Sequence, residues 1–256
     1  MIVLLTSLLI PGAAAVEPVL ERVAGGAIDW TNMRLVVHGT GGGSTGAMNN
    51  LEAAEGDARQ QLEPRVQALA RAVRVDRSRL AGELLDAADA VADRLEANLS
   101  AWEVFEARYH KGGTVELDAA LSLQTWLRPA LVSFLHAAER PPRQGGSSGL
   151  IVDARGLDLK CALAPEFFDA ALGHLYGIGD MTAYAASQHG PVVYVSDPAD
   201  PIAARRAGEV PIFLRPASVQ NGTDLVFDAA AAAELRAAAD ASDLLLFGNV
   251  VVVTSP

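Results

Sequence analysis

The chain has 256 residues, of which half are apolar and a fifth are charged; this excludes an intrinsically disordered protein and allows one large or two small domains. The formal net charge is −11. Because an acidic surface repels phosphate backbones and anionic headgroups, neither nucleic acid nor a membrane surface is expected as the main partner.

The first fifteen residues have the pattern of a signal peptide. Residues 2–10 are apolar apart from Thr6 and Ser7, and a Pro-Gly pair then precedes three alanines that end at Ala15. A short apolar run, a break and small residues at −3 and −1 predict cleavage after Ala15, with delivery to the periplasm or the exterior. No basic residue precedes the run, so a buried N-terminal strand is the alternative.

The expected mature form carries no anchor. The apolar run is shorter than the about 20 residues that cross a bilayer, and no later stretch is long and apolar enough, so no membrane span is predicted. No cysteine follows Ala15, so no lipid anchor is predicted.

Residues 16–138 are predicted to form an N-terminal domain that begins with a short strand over 33–37 and a glycine-rich loop. From Ala47 to Val73 apolar residues recur every three or four positions, which indicates a helix. Pro64 is expected to kink or break this helix near Leu62. A second helix is expected to be capped by Ser78 and to run to Leu99.

A hairpin and a further helix complete this domain. Residues 102–109 and 115–121 alternate like strands around a turn at 110–113, and residues 124–138 have helical spacing. Residues 139–149 are rich in Pro, Gly and Ser, which is typical of a linker.

Residues 150–256 are predicted to form a C-terminal domain. Strands are expected in six segments: 150–152, 157–163, 192–195, 211–214, 225–227 and 250–253. The last, four consecutive valines, indicates a central strand covered on both faces. Asp228 is expected to cap an alanine-rich helix, and Cys161 to be buried in a strand. The fold class is therefore α+β, with helices packed on small antiparallel or mixed sheets in two units.

Ser44 is the one candidate nucleophile. It lies in residues 42–46 (Gly-Gly-Ser-Thr-Gly), a G-x-S-x-G pattern between a predicted strand and a helix. However, the same loop would have to supply both the nucleophile and the oxyanion-binding amides, and the chain lacks the repeated βα units of a hydrolase sheet. The second match, over residues 145–149, follows a Pro-Pro segment and lacks the required context.

No cofactor or metal is predicted. Ala47 stands where a phosphate-binding loop needs a lysine. The five histidines have no partner at metal-ligand spacing, so scattered surface histidines are expected.

Two groups of residues resemble a known family. The run 28–33 (Ile-Asp-Trp-Thr-Asn-Met), a glycine-bearing loop and then Ala54, Ala58 and Arg59 resemble the LPP-twenty family of envelope lipoproteins, and are similar to the N-terminal domain of flagellar assembly protein T. Residues 149–157, 163–165 and 175–177 resemble a region that accompanies this domain in exported bacterial proteins. The resemblance implies helices on a small antiparallel sheet, an envelope location and a binding or assembly role, with no catalytic residues.

Asp153 and Arg155 are the candidate binding residues. They stand at i and i+2 on a predicted strand, so both side chains point to one face and could bind an anionic group or a partner. The alternative is a local ion pair that stabilises the turn at Gly156.

The leading hypothesis is an exported, non-enzymatic envelope protein that binds another envelope protein or associates with itself, in connection with a flagellar or surface structure. It predicts an exposed apolar patch or sheet edge. The alternative is a secreted serine hydrolase using Ser44, which requires a histidine near that hydroxyl and an acid behind it. A small-ligand binder using the cleft between the units is a third possibility.

Overall fold

The computed structural model describes residues 16–42, 50–87, 89–128 and 146–255. The predicted signal peptide, Ser44 and residues 129–138 of the predicted helix lie outside the described residues, as do residues 139–145 of the predicted linker. Residues 146–148 are irregular, and Gly149 begins a strand.

The first unit is built on a five-stranded antiparallel sheet with strand order β1-β2-β3-β5-β4. Its strands are β1 (Leu20–Val23), β2 (Gly26–Asp29), β3 (Arg34–Gly41), β4 (Glu103–Tyr109) and β5 (Val115–Ser122). The helices of this unit are α1 (Leu51–Ala72), α2 (Ala81–Leu85), α3 (Ala90–Asn98) and α4 (Leu123–Trp126). The predicted hairpin is thus confirmed as β4 and β5.

Helix α1 lies directly on the backbone of β3. Its buried side chains include Ala54 and Ala58. A Cβ added at Gly39 would stand 2.3 Å from the Ala58 carbonyl oxygen, and one at Gly41 would stand 1.9 Å from the Ala54 carbonyl oxygen. Glycine on the strand and alanine on the helix are therefore required for this close packing.

Of the kink or break expected at Pro64, the break is wrong, since α1 continues from Leu51 to Ala72 through this residue. Pro64 is exposed, while Leu62 and Val66 beside it are buried against the sheet. Proline leaves the carbonyl of Gln60 without its helical donor, and Gln60 is an exposed residue, so the buried stripe can hold the helix on either side.

The expectation of one helix from Ser78 to Leu99 is also wrong, because the segment forms two short helices. Asp89 caps α3 by accepting hydrogen bonds from the amides of Val91 (2.8 Å) and Ala92 (2.9 Å). Ser78 instead donates its amide to Asp76 in a turn before α2 (2.8 Å). A capping carboxylate inside an apolar-periodic segment starts a new helix.

The second unit contains two four-stranded sheets, with orders β10-β6-β13-β9 and β11-β12-β7-β8. Its strands are β6 (Gly149–Asp153), β7 (Phe167–Asp169), β8 (His174–Tyr176), β9 (Val193–Val195), β10 (Pro211–Leu214), β11 (Ser218–Gln220), β12 (Asp224–Phe227) and β13 (Val250–Val253). Its helices are α5 (Ala183–His189), α6 (Pro201–Ala207) and α7 (Ala229–Ala241), with a 3-10 turn at Ile178–Asp180.

The α+β class in two units is confirmed. The sheet of the first unit is antiparallel, and the sheet containing β12 is mixed. The sheet containing β13 is wholly parallel, which departs from the antiparallel or mixed sheets that were predicted. Strand β13 is central and buried on both faces, as its valine run predicts, and Asp228 caps α7 through the Ala231 amide (2.8 Å).

The strand expected over 157–163 is absent, since these residues are irregular. Cys161 is nevertheless buried, as predicted, and burial raises the pKa of its thiol well above the ordinary range. Its carbonyl oxygen accepts a hydrogen bond from Arg74 of the first unit (2.7 Å). The segment thus crosses the first unit instead of joining a sheet.

The two units share one hydrophobic core. The amides of Leu163 and Ala164 donate to the carbonyls of Arg74 (3.0 Å) and Val75 (2.7 Å). The ring of Trp30 meets that of Tyr194 edge to face at a centroid distance of 5.8 Å. The units therefore pack as one body.

The residues from Ile28 to Met33, which carry the family resemblance, have identifiable structural roles. Ile28 and Trp30 are fully buried. Asp29 accepts from the Asn32 amide (2.9 Å), and the Thr31 hydroxyl accepts from the Val19 amide (2.9 Å). This run fixes the turn that presents Trp30 to the second unit.

Candidate functional site

The outward face of the antiparallel sheet carries a polar network. His38 Nδ1 lies 2.8 Å from Asp118 Oδ1, and the Thr40 hydroxyl lies 3.0 Å from His38 Nε2. Arg108 also contacts Asp118 (2.7 Å) and Glu116 (3.0 Å). Burial tends to raise the pKa of Asp118, but the hydrogen bonds from Arg108 and His38 outweigh it and hold that pKa below its ordinary value.

This network bears on the predicted nucleophile. Ser44 lies outside the described residues, but β3 leads from His38 to Gly41, three residues before it. His38 has an acid behind it, as a hydrolase needs, yet its Nε2 already contacts Thr40. Its carboxylate partner is shared with an arginine, which reduces the negative charge available to an imidazolium.

The predicted pair of Asp153 and Arg155 forms a local ion pair. Arg155 Nε lies 2.8 Å from Asp153 Oδ1, and the Arg155 amide donates to the same oxygen (3.2 Å). The ion pair lowers the pKa of Asp153. Gly156 follows with φ +82°, a left-handed turn that favours glycine. Both side chains are thus engaged in stabilising this turn.

A cavity of about 440 Å³ lies between the two units. Its lining comes from the 31–33 turn, the region of α4, the ends of α5 and α6, and the starts of β9 and β13. The polar lining residues are Thr31, Asn32, Gln124, Gln188, His189, Arg205, Arg206 and Asn249, and none of the described lining residues is acidic.

Two arginines, Arg128 buried and Arg206 half-buried, lie at the end of α5 beside this cavity. Arg128, only 6% exposed, donates Nη1 to the carbonyls of Ser187 (3.1 Å) and Gln188, and Arg206 donates Nη2 to the Gly190 carbonyl. Burial lowers the pKa of each to about 10, so both stay positively charged at neutral pH. Burial, together with these charges, also lowers the pKa of His189.

Each of the two arginines keeps one N–H group without a hydrogen-bond partner. Arg128 Nη2 and Arg206 Nε are buried and have no hydrogen-bond partner, and no described carboxylate pairs with either side chain. A buried charge is costly unless it is paired. The two arginines lie far apart in the chain, so the sequence does not predict this cluster; the only local signal is the Arg-Arg pair at the end of α6.

The described residues contain no cluster of His, Cys, Asp and Glu that could hold a metal ion. No helix among them is long and apolar enough to cross a membrane.

The sequence of the second unit matches a known family. The family is described as Treponema pallidum Tp0624, second domain, and the match covers residues 149–256, from the first residue of β6 to the end of the chain. No curated protein matches the chain.

Proposed function

We propose that the protein is exported to the cell envelope and acts there without catalysis, by binding another envelope protein or by assembling with copies of itself. The observation that carries the proposal is the pair of sheet edges with exposed aromatic side chains. Export is supported by the apolar run, break and small residues that end at Ala15. The resemblance of the first unit to envelope proteins supports a flagellar or other surface structure as the context.

The first of these edges is β4, which among the described strands pairs only with β5. Phe105 and Tyr109 on it are 51% and 54% exposed. The second is β10, which has β6 as its only partner in the described part of the chain and whose Phe213 is 64% exposed. An open edge offers unpaired backbone groups to a strand of a partner, and an aromatic side chain beside it adds apolar contact area.

The test is to purify the tagged full-length protein from the envelope fraction after crosslinking, for wild type and three variants. We expect the wild type to begin at Val16 and to yield discrete crosslinked species that Phe105→Lys or Phe213→Lys reduces at least fivefold. Tyr184→Lys is the matched control, because Tyr184 is more exposed than either phenylalanine (68%) but lies on a helix. An uncleaved cytoplasmic protein, or crosslinking that neither edge variant reduces, contradicts the proposal.

The alternative, a secreted serine hydrolase using Ser44, is favoured by one observation, the His38–Asp118 pair on the strand that leads to this serine. We expect a fluorophosphonate probe to leave the protein unlabelled, because Thr40 already contacts His38 Nε2 and Arg108 shares the Asp118 carboxylate. Intact-mass analysis after labelling is the measurement. Labelling that Ser44→Ala and His38→Ala both abolish, but Thr40→Val does not, establishes the hydrolase instead.

A further inference from the structure

We infer that the cavity between the two units is a binding site for a small organic anion. Its volume of about 440 Å³ lies within the range of small-molecule sites. Arg205, Arg206 and His189 contribute to its lining, and none of its described lining residues is acidic. The chain carries a net charge of −11, whereas the charged side chains of this lining, Arg205 and Arg206, are both basic.

The positive charge at this cavity is not neutralised within the described structure. Arg128 and Arg206 are held at the same helix end, and each keeps one buried N–H group without a partner. Arg205, which is exposed, has neither an ion pair nor a hydrogen bond among the described residues. Arg205 and Arg206 thus line the cavity, Arg128 lies at the same helix end outside the lining, and no described carboxylate pairs with any of the three.

The partial negative charge at the C-terminus of α5 balances only part of the positive charge of these arginines. Its carbonyls accept hydrogen bonds from Arg128, as basic side chains at helix ends commonly donate. A helix end is equivalent to roughly half a negative charge, which offsets less than one guanidinium. A bound anion supplies the remaining negative charge.

The rest of the lining indicates what else the ligand carries. Amide side chains of Asn32, Gln124, Gln188 and Asn249 can donate and accept hydrogen bonds, while Val192 and Ile202 supply apolar contact. The site therefore fits a small molecule with an oxyanion, a carboxylate or a phosphate monoester, on a body with hydroxyl or amide groups. Guanidinium groups bind either oxyanion through paired hydrogen bonds.

Thermal unfolding with three matched sugars tests this inference. Glucose 6-phosphate and glucuronate carry the two oxyanions, and glucose carries neither. We expect at least one of the anionic sugars to raise the Tm of the wild type by about 3–5 °C at tenfold excess over its Kd, and glucose to leave it unchanged. Which anionic sugar acts distinguishes the phosphate from the carboxylate.

Substitutions of the lining arginines test whether the anionic sugar binds in the cavity. Arg206→Met and the exposed Arg205→Gln are each expected to weaken binding at least tenfold in isothermal titration calorimetry, whereas Arg94→Gln, on α3 and away from the cavity, leaves it unchanged. If Arg206→Met does not fold, Arg205→Gln still decides the result. The inference is overturned if neither anionic sugar shifts the Tm, if glucose shifts it equally, or if Arg205→Gln binds like Arg94→Gln.

Discussion

Replacing Trp30 with alanine is expected to lower the free energy of unfolding by about 3–5 kcal/mol, the cost of truncating a large buried aromatic side chain. Trp30 is fully buried, donates Nε1 to Glu21 (3.0 Å), and contacts Tyr194 of the second unit edge to face. The truncation leaves a cavity where the two units meet, so neither unit can close it alone. Urea unfolding followed by circular dichroism measures the loss.

Trp102→Ala is the matched control for this substitution. Trp102 is only partly buried and packs at the border of the core. Its truncation is expected to cost less than half as much, because solvent already reaches the space that the ring occupies. Equal losses for the two tryptophans would show that Trp30 does not hold the units together.

The periodic segments of the sequence predicted the elements that a local pattern determines. The apolar stripe of α1, the alternation of β4 and β5, and the Asp228 cap all follow from residues close in the chain. The continuity of α1 through Pro64 does not, because it depends on the packing of the helix against the sheet. The direction of the strands beside β13 likewise depends on connections that strand composition does not encode.

The cavity between the units could not be predicted from the sequence, because residues that are distant in the chain form it. Arg128 reaches the carbonyl of Ser187 across 59 residues of chain, and packing of the two units brings them together. The pairing of His38 with Asp118 spans 80 residues, so spacing rules classed His38 as an isolated histidine. By contrast, the ion pair of Asp153 and Arg155 is local, and it takes the form that the sequence offered as the alternative to a binding site.

A second large loss in the free energy of unfolding is expected on substitution of Tyr194, whose hydroxyl makes two hydrogen bonds in the core. It accepts from the Ala162 amide (3.1 Å) and donates to the Ala162 carbonyl (2.9 Å). Tyr194→Phe leaves both of these buried groups without a partner. Since each unsatisfied buried group costs about 1–3 kcal/mol, the expected loss in the free energy of unfolding is about 2–4 kcal/mol, measured by urea unfolding.

Tyr176→Phe provides the comparison that separates unsatisfied backbone groups from a simple loss of a hydroxyl. Tyr176 is as deeply buried but makes one hydrogen bond, to the Pro191 carbonyl (2.8 Å). Its substitution leaves one acceptor unpaired and is expected to cost about half as much as Tyr194→Phe. A carbonyl also tolerates the loss of one donor better than an amide tolerates the loss of its acceptor. Equal losses at the two tyrosines would show that the Ala162 segment shifts to find new partners, and that Tyr194 does not fix the irregular chain between β6 and β7 in place.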